Sequence, residues 1–333
     1  MQHLQPNTTL QSGKYRIERV LGQGGFGITY LGYDSVFEQY VAIKEFFMKG
    51  VTERDGSTTG VCISNQENKK NFLEQKEKFK KEARRIHALN SEHIVRVYDL
   101  FEENDTAYYV MDYIDGETLA TRMKRLNHPF AESDVRIFLL QILDALEEIH
   151  NGGIQHLDLK PTNIMINKRG RILLIDFGAS KQISPKGGVT ASTAICYTPG
   201  YAPREQLEQN YDKFGPWTDL YALGATLYNI LTNRIPPLSS EIDDEGRMAF
   251  TFPPSVSNDM RSYIYWLMQP NRKKRPQKVM RPAWKVAKPG NVHAVKIPTN
   301  EETLLGASVA PVTTQKPPSL SNLLEDDIFI LPI

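Results

Sequence analysis

The chain has 333 residues, with 40 Lys+Arg against 39 Asp+Glu and a formal net charge of +1. No global basic field is present to hold a polyanion by counterion release, so nucleic acid is not an expected partner. Its two cysteines, Cys62 and Cys196, stand far apart without a metal-ligand pattern, which argues against a disulfide scaffold or structural zinc and fits a reducing cytosol.

The opening segment, MQHLQPNTTLQSGKYR, is polar and lacks the apolar core of a signal peptide. No long uncharged apolar run occurs elsewhere, so a soluble cytoplasmic protein without a membrane partner is expected. Residues 1–14 read as a flexible N-terminus. From Tyr15 to Lys44 the runs YRIERVL, ITYLGY and YVAIKEF are β-rich and separated by glycines and polar residues, as in an antiparallel meander. A Gly-, Ser-, Thr- and Asn-containing stretch then marks an inserted loop over 46–72. Tolerated surface length is favoured there over a regulatory or partner surface. In FLEQKEKFKKEARRIHAL, Phe79, Ala83 and Ile86 recur at helical spacing and turn one face inward. Glu82 shares that face, and an inward carboxylate asks for a cationic partner.

The runs HIVRVYDLF and AYYVMDYI complete the sheet. Helical patterning follows. SDVRIFLLQILDALEEIH carries a stripe of Val135, Phe138, Leu139, Ile142, Leu146 and Ile149, with Ser133 or Asp134 near its start, and WTDLYALGATLYNILTN is apolar around most of its circumference, as a buried helix would be. The order is α+β, a β-rich part with one main helix before a mostly helical part, and it implies two lobes. The stretch 288–333 mixes Pro, Thr, Ser and Asn without a sustained period and reads as a disordered tail. Its end, LEDDIFILPI, is acidic then apolar; an untethered end is favoured there over a docking peptide.

Three groups carry chemistry. LGQGGFGITY sets Gly22, Gly24 and Gly27 between two strand candidates, where small residues let the backbone close over phosphates. A plain Gly-rich hairpin reads the same way locally, whereas a dinucleotide site would need a helix to follow. Lys44 ends VAIK, a place where a lysine reaches nucleotide phosphates, although taken singly such a lysine is more often a solvated strand end. HLDLKPTN and LLIDFG bring Asp158, Lys160, Asn163 and Asp176. Asp158, Asn163 and Asp176 form an oxygen set suited to Mg²⁺. Each of these alone would serve as a turn or cap residue; together their order and spacing point to phosphoryl transfer.

On these motifs the sequence resembles a eukaryotic-type protein kinase domain, in the style of its bacterial members, over approximately Tyr15 to Pro276. The resemblance implies a bilobal fold, with the kinase domain over 15–287, an N-lobe over 15–111 and a C-lobe over 115–287. It implies ATP and Mg²⁺ or Mn²⁺ as cofactors and Ser/Thr hydroxyls of proteins as substrates, the chain itself included; oligomeric state is left open. Gly22, Gly24 and Gly27 would cover the phosphates, with Leu21, Thr29 and Ala42 above the adenine and Met165 below. Met111 would guard the back of the pocket, with backbone groups of Asp112 to Ile114 facing the base. Lys44 and Glu82 would pair, Asp158 would act as base, Lys160 would neutralise the moving phosphoryl group, and Asn163 and Asp176 would hold the metal. Val97, Ile86, Phe177 and His156 match a packed column joining the lobes. Thr198 would face the catalytic loop, Glu205 would pair with Arg275, and Asp219 would brace the loop or simply cap a helix.

Three positions depart from the pattern. Leu157 stands where the family commonly has an Arg that binds a phosphorylated activation segment, so activity is expected not to require phosphate on Thr190, Ser192 or Thr193. Thr29 replaces a common Val, and Pro282 interrupts the expected closing helix. A nucleotide-binding scaffold without transfer and a small-molecule phosphotransferase are the rival readings. The complete residue set opposes the first; Lys160-Pro161, the long activation segment and TPGYAPREQ oppose the second.

Overall fold

The computed structural model describes residues 2–54, 59–178, 181–182 and 197–283. Its first lobe is a six-stranded antiparallel sheet in the order β1-β2-β3-β4-β8-β7, built from Thr9–Leu10, Tyr15–Gln23, Gly27–Asp34, Gln39–Phe46, Thr106–Asp112 (β8) and Val97–Glu103 (β7). Period-2 alternation divides β4 between two faces. Lys44 and Phe46 point to one face, where α1 (Lys69–His87) lays Phe72 and Phe79 against Phe46. Ile43 and Glu45 point to the other, and neither reaches solvent.

The covering of that second face corrects two expectations. The flexible N-terminus expected over 1–14 is instead packed from residue 2 on: β1 pairs with β2, Leu4 and Leu10 are buried, and the Leu4 N–H donates to the Tyr30 hydroxyl at 3.1 Å. The stretch 46–72 is not merely a loop. It folds into a hairpin of β5 (Thr52–Arg54) and β6 (Val61–Ile63), then leads into α1. Its polar composition concealed the hairpin because its apolar residues are few and scattered: Val61 is buried and Val51 and Ile63 pack on the core, while Thr52 and Arg54 add polar anchors.

The second lobe is mainly helical. It holds α2 (Leu119–Leu126), α3 (Glu132–Asn151), α4 (Arg204–Leu207), α5 (Pro216–Thr232), α6 (Ser239–Glu245) and α7 (Asn258–Leu267). The predicted apolar stripe of α3 is buried along its length, and α5 is buried around nearly its whole circumference. Ala131 rather than Ser133 or Asp134 occupies the α3 N-cap. Between α3 and α4 the chain forms β10 (Ile154–Gln155), β11 (Ile164–Asn167), β12 (Ile172–Leu174) and β13 (Lys181–Gln182), with β9 (Gly116–Thr118) on the far side of β11. No helix continues from Pro276 to Ala283, in keeping with the Pro282 break. The predicted tail over 288–333 lies outside the described residues.

Candidate active site

The first cluster joins three distant segments. Lys44 Nζ on β4 lies 3.0 Å from Asp176 Oδ1 and 3.3 Å from Glu82 Oε1 on α1. Tyr109, opposite Lys44 in the β4–β8 ladder, donates its hydroxyl to Glu82 Oε1 at 3.0 Å. Sequence reasoning missed Tyr109; its register with Lys44 was the available signal. Burial by itself would lower the Lys44 ammonium, but Asp176 and Glu82 outweigh it and hold Lys44 well above its ordinary value. The Lys44 charge draws the Asp176 carboxyl down to about 2. Half of the Asp176 side chain, 49%, faces solvent, so water screens part of that attraction. Glu82 moves the other way, because burial raises it more than Lys44 lowers it.

The second cluster is the loop between β10 and β11. Asp158 sits among three donors: Lys160 Nζ at 3.0 Å, Asn163 Nδ2 at 2.9 Å and the Thr198 hydroxyl at 3.3 Å. Lys160 also donates to Thr198 at 3.0 Å, so Thr198 faces this loop as expected. The β11–β12 hairpin brings the metal-ligand candidates together: Ile175 N–H donates to Asn163 O at 3.0 Å, which sets Asp176 beside Asn163. The Asn163 amide nitrogen is engaged by Asp158, and its oxygen accepts only a long bond of 3.4 Å from the Thr162 hydroxyl among the described residues. Asp176 Oδ1 takes Lys44, which leaves the second carboxylate oxygen for a cation. Two hard oxygens at one hairpin mouth fit a divalent ion completed by phosphate and water. Among the described residues no group of three or more His, Cys, Asp or Glu forms a protein-only metal cage.

Asp219 holds this loop from below. Its carboxylate accepts the His156 N–H at 3.0 Å and the Leu157 N–H at 2.8 Å, and lies 2.8 Å from His150 Nε2. The N-cap of α5 is Gly215, so Asp219 is the loop brace and not a cap. These bonds, with His150, overcome burial and keep its carboxyl below the usual range. Leu157 adopts φ 63° and packs with Phe214 and the half-buried Tyr211, an apolar pocket in which a guanidinium would lack partners. The His156 ring packs tilted against Phe177, centroids 4.7 Å apart, and Ile86, Val97 and Phe177 are buried. Glu205 and Arg275 pair through two bonds of 2.6 and 3.1 Å. Thr190, Ser192 and Thr193 lie outside the described residues.

The nucleotide candidates follow the ladders. Gly22 pairs with Thr29, Thr29 with Lys44 and Ala42 with Met111, so Thr29, Ala42, Lys44 and Met111 share one sheet face. Gly24 N–H donates to Gly27 O at 2.8 Å, closing the turn. A Cβ on Gly27 would stand 2.8 Å from Glu45 O, so no larger residue fits there. Leu21, Ile114 and Met165 are half-buried. The Asp112 N–H is engaged by Arg96 O at 3.0 Å, which leaves the following backbone groups of this linker to meet a base.

Against known proteins, the family described as "Protein kinase domain" matches residues 15–284. The CBL-interacting serine/threonine-protein kinase 21 of Arabidopsis thaliana is 31% identical over 79% of this chain and 58% of its own. The serine/threonine-protein kinase PrkC of Bacillus subtilis is 32% identical over 68% of this chain and 31% of its own. The solved structure of PpkA-294 in its apo form superposes with a TM-score of 0.71 at 26% identity, covering 84% of this chain and 97% of that one. The chain belongs to the protein kinase family and has the protein kinase fold. It spans 58% or less of the length of these two curated relatives. Members of the family generally use ATP and Mg²⁺ and act on proteins. Among the described residues no helix is long and apolar enough to cross a membrane.

Proposed function

We propose that this protein transfers the γ-phosphate of ATP to Ser/Thr hydroxyls of cytoplasmic proteins, itself included, with Mg²⁺ or Mn²⁺ as the metal. The observation that supports this most is the meeting of Lys44, Glu82 and Asp176, from three separate segments, within 3.3 Å. Lys44 holds the α- and β-phosphates, kept in place by Glu82, which Tyr109 orients in turn. Asn163 and Asp176 would hold the divalent ion, which when bound would supply neutralisation of phosphate charge. Asp158 aligns the substrate hydroxyl and accepts its proton, its carboxylate oriented by Asn163 and Thr198. Lys160 offsets charge on the transferred group. Catalysis then rests on positioning and electrostatics in a fixed cleft. Gly22, Gly24 and Gly27 close over the phosphates, while Leu21, Thr29, Ala42, Met111, Ile114 and Met165 enclose the adenine.

The test is incubation of purified protein with labelled ATP, Mg²⁺ and a generic protein substrate, with Asp176→Ala as control. Label on Ser and Thr from the wild type alone is the expected result. Nucleotide binding without transfer would make the chain a scaffold and overturn the proposal.

A further inference from the structure

The insertion touches the glycine turn through its first residues, Phe47 and Lys49, and the strand of Lys44 through its hairpin residue Arg54. Directly after β4, the Phe47 N–H donates to Phe26 O at 3.3 Å and the Lys49 N–H to Gly25 O at 3.0 Å. The stem of the insertion thus holds the tip of the Gly22–Gly27 turn, whose Phe26 side chain is otherwise exposed. The stem is itself closed by Thr52, whose N–H and hydroxyl both donate to Met48 O and whose hydroxyl accepts the Met48 N–H. Two residues on, Arg54 reaches back under the sheet. Its Nη2 lies 2.7 Å from both oxygens of Glu45, the neighbour of Lys44.

Glu45 has no solvent exposure and also accepts the hydroxyls of Tyr30 at 2.6 Å and Tyr108 at 2.7 Å. The Arg54 side chain is 6% exposed. A buried pair of this kind is stable only while both partners remain, because either alone is an uncompensated charge. Two sets of bonds, at the lid tip and beneath Lys44, are therefore linked through a few residues of one insertion.

We propose that the inserted hairpin is a brace that positions the lid over the ATP phosphates, with Arg54 as its anchoring residue. This rests on the reading of Gly22–Gly27 as the phosphate lid. Arg54 touches neither nucleotide nor substrate, so it is a positioning residue, and its effect falls on ligands that carry phosphates.

The test compares ATP and adenosine binding, by calorimetry or competition, in wild type, Arg54→Met and the double variant Glu45→Gln/Arg54→Met. The single variant leaves Glu45 buried without its cation and is expected to melt lower. The double variant removes that charge and recovers melting temperature, but has no clamp. It is expected to bind ATP about tenfold more weakly, the size of one lost charge-assisted bond, while adenosine affinity stays within about twofold. Wild-type ATP affinity in the folded double variant, or equal weakening of ATP and adenosine, would reduce Arg54 to a purely structural residue and overturn the brace. A wild type that binds no ATP would overturn the kinase reading as well, so the two failures are distinguishable.

Discussion

Asp176 takes φ 58°, a left-handed conformation that Asp tolerates better than most residues because its short carboxylate bonds locally. Its Oδ1 accepts the Gly178 N–H at 3.3 Å as well as the Lys44 ammonium at 3.0 Å. Its carboxyl is drawn down to about 2, so it is fully ionised at neutral pH and ready for a cation. A carboxylate depressed in the folded state contributes stability that is complete above its unfolded value and lost as pH falls through its folded one. The stability difference between wild type and Asp176→Asn should therefore be constant from pH 7 down to about 4 and shrink from there toward 2, which urea unfolding at stepped pH measures. Asp158→Ala should lower phosphotransfer by at least about a hundredfold with an unchanged circular dichroism spectrum, because Asp158 lies in a loop held independently by Asp219.

At the scale of elements, the loop of Asp158 is held by Asp219 and by the burial of Leu157, which stands where the family commonly has an Arg. Gln206 Nε2 adds a bond of 2.7 Å to Leu157 O, tying α4 to the same turn. A loop already held by these contacts gains little from a phosphorylated segment. Replacing Thr190, Ser192 and Thr193 together with Ala should leave activity within about threefold of wild type, under about 1 kcal/mol; loss of all transfer would contradict this. Leu157→Arg would push a charge into the pocket of Phe214 and should destabilise the fold by several kcal/mol, of order 2–5, seen as a lower melting temperature.

For the molecule as a whole, two tethers close the lobes upon themselves. The buried Glu205–Arg275 pair joins α4 to the chain after α7, and Arg275 also donates to the carbonyls of Gln269 and Pro270. Arg275→Met leaves Glu205 without its cation and should cost about 3–5 kcal/mol in denaturant unfolding. At the other end, Leu10 plugs the outer face of the first lobe, and Leu10→Ala should cost about 2–5 kcal/mol. A leader without tertiary contact would show no loss.

Read by itself, the sequence determined the two-lobe α+β order, because the period of the apolar residues changes from two to 3.6 along the chain. It also singled out Lys44, Glu82, Asp158, Asn163 and Asp176 as the proposed chemistry-bearing set, since those types follow one another in a recognisable order. Only the tertiary structure decided that residues 2–14 form part of a core, that the stretch 46–72 holds an anchored hairpin of Thr52–Arg54 with Val61–Ile63, and that Tyr109 and Arg54 bond Glu82 and Glu45. The reason is physical. Local patterning reports which face of one element is apolar, whereas Arg54 is held to Glu45, and Leu4 beneath Tyr30, by partners that become neighbours only after the sheet has formed.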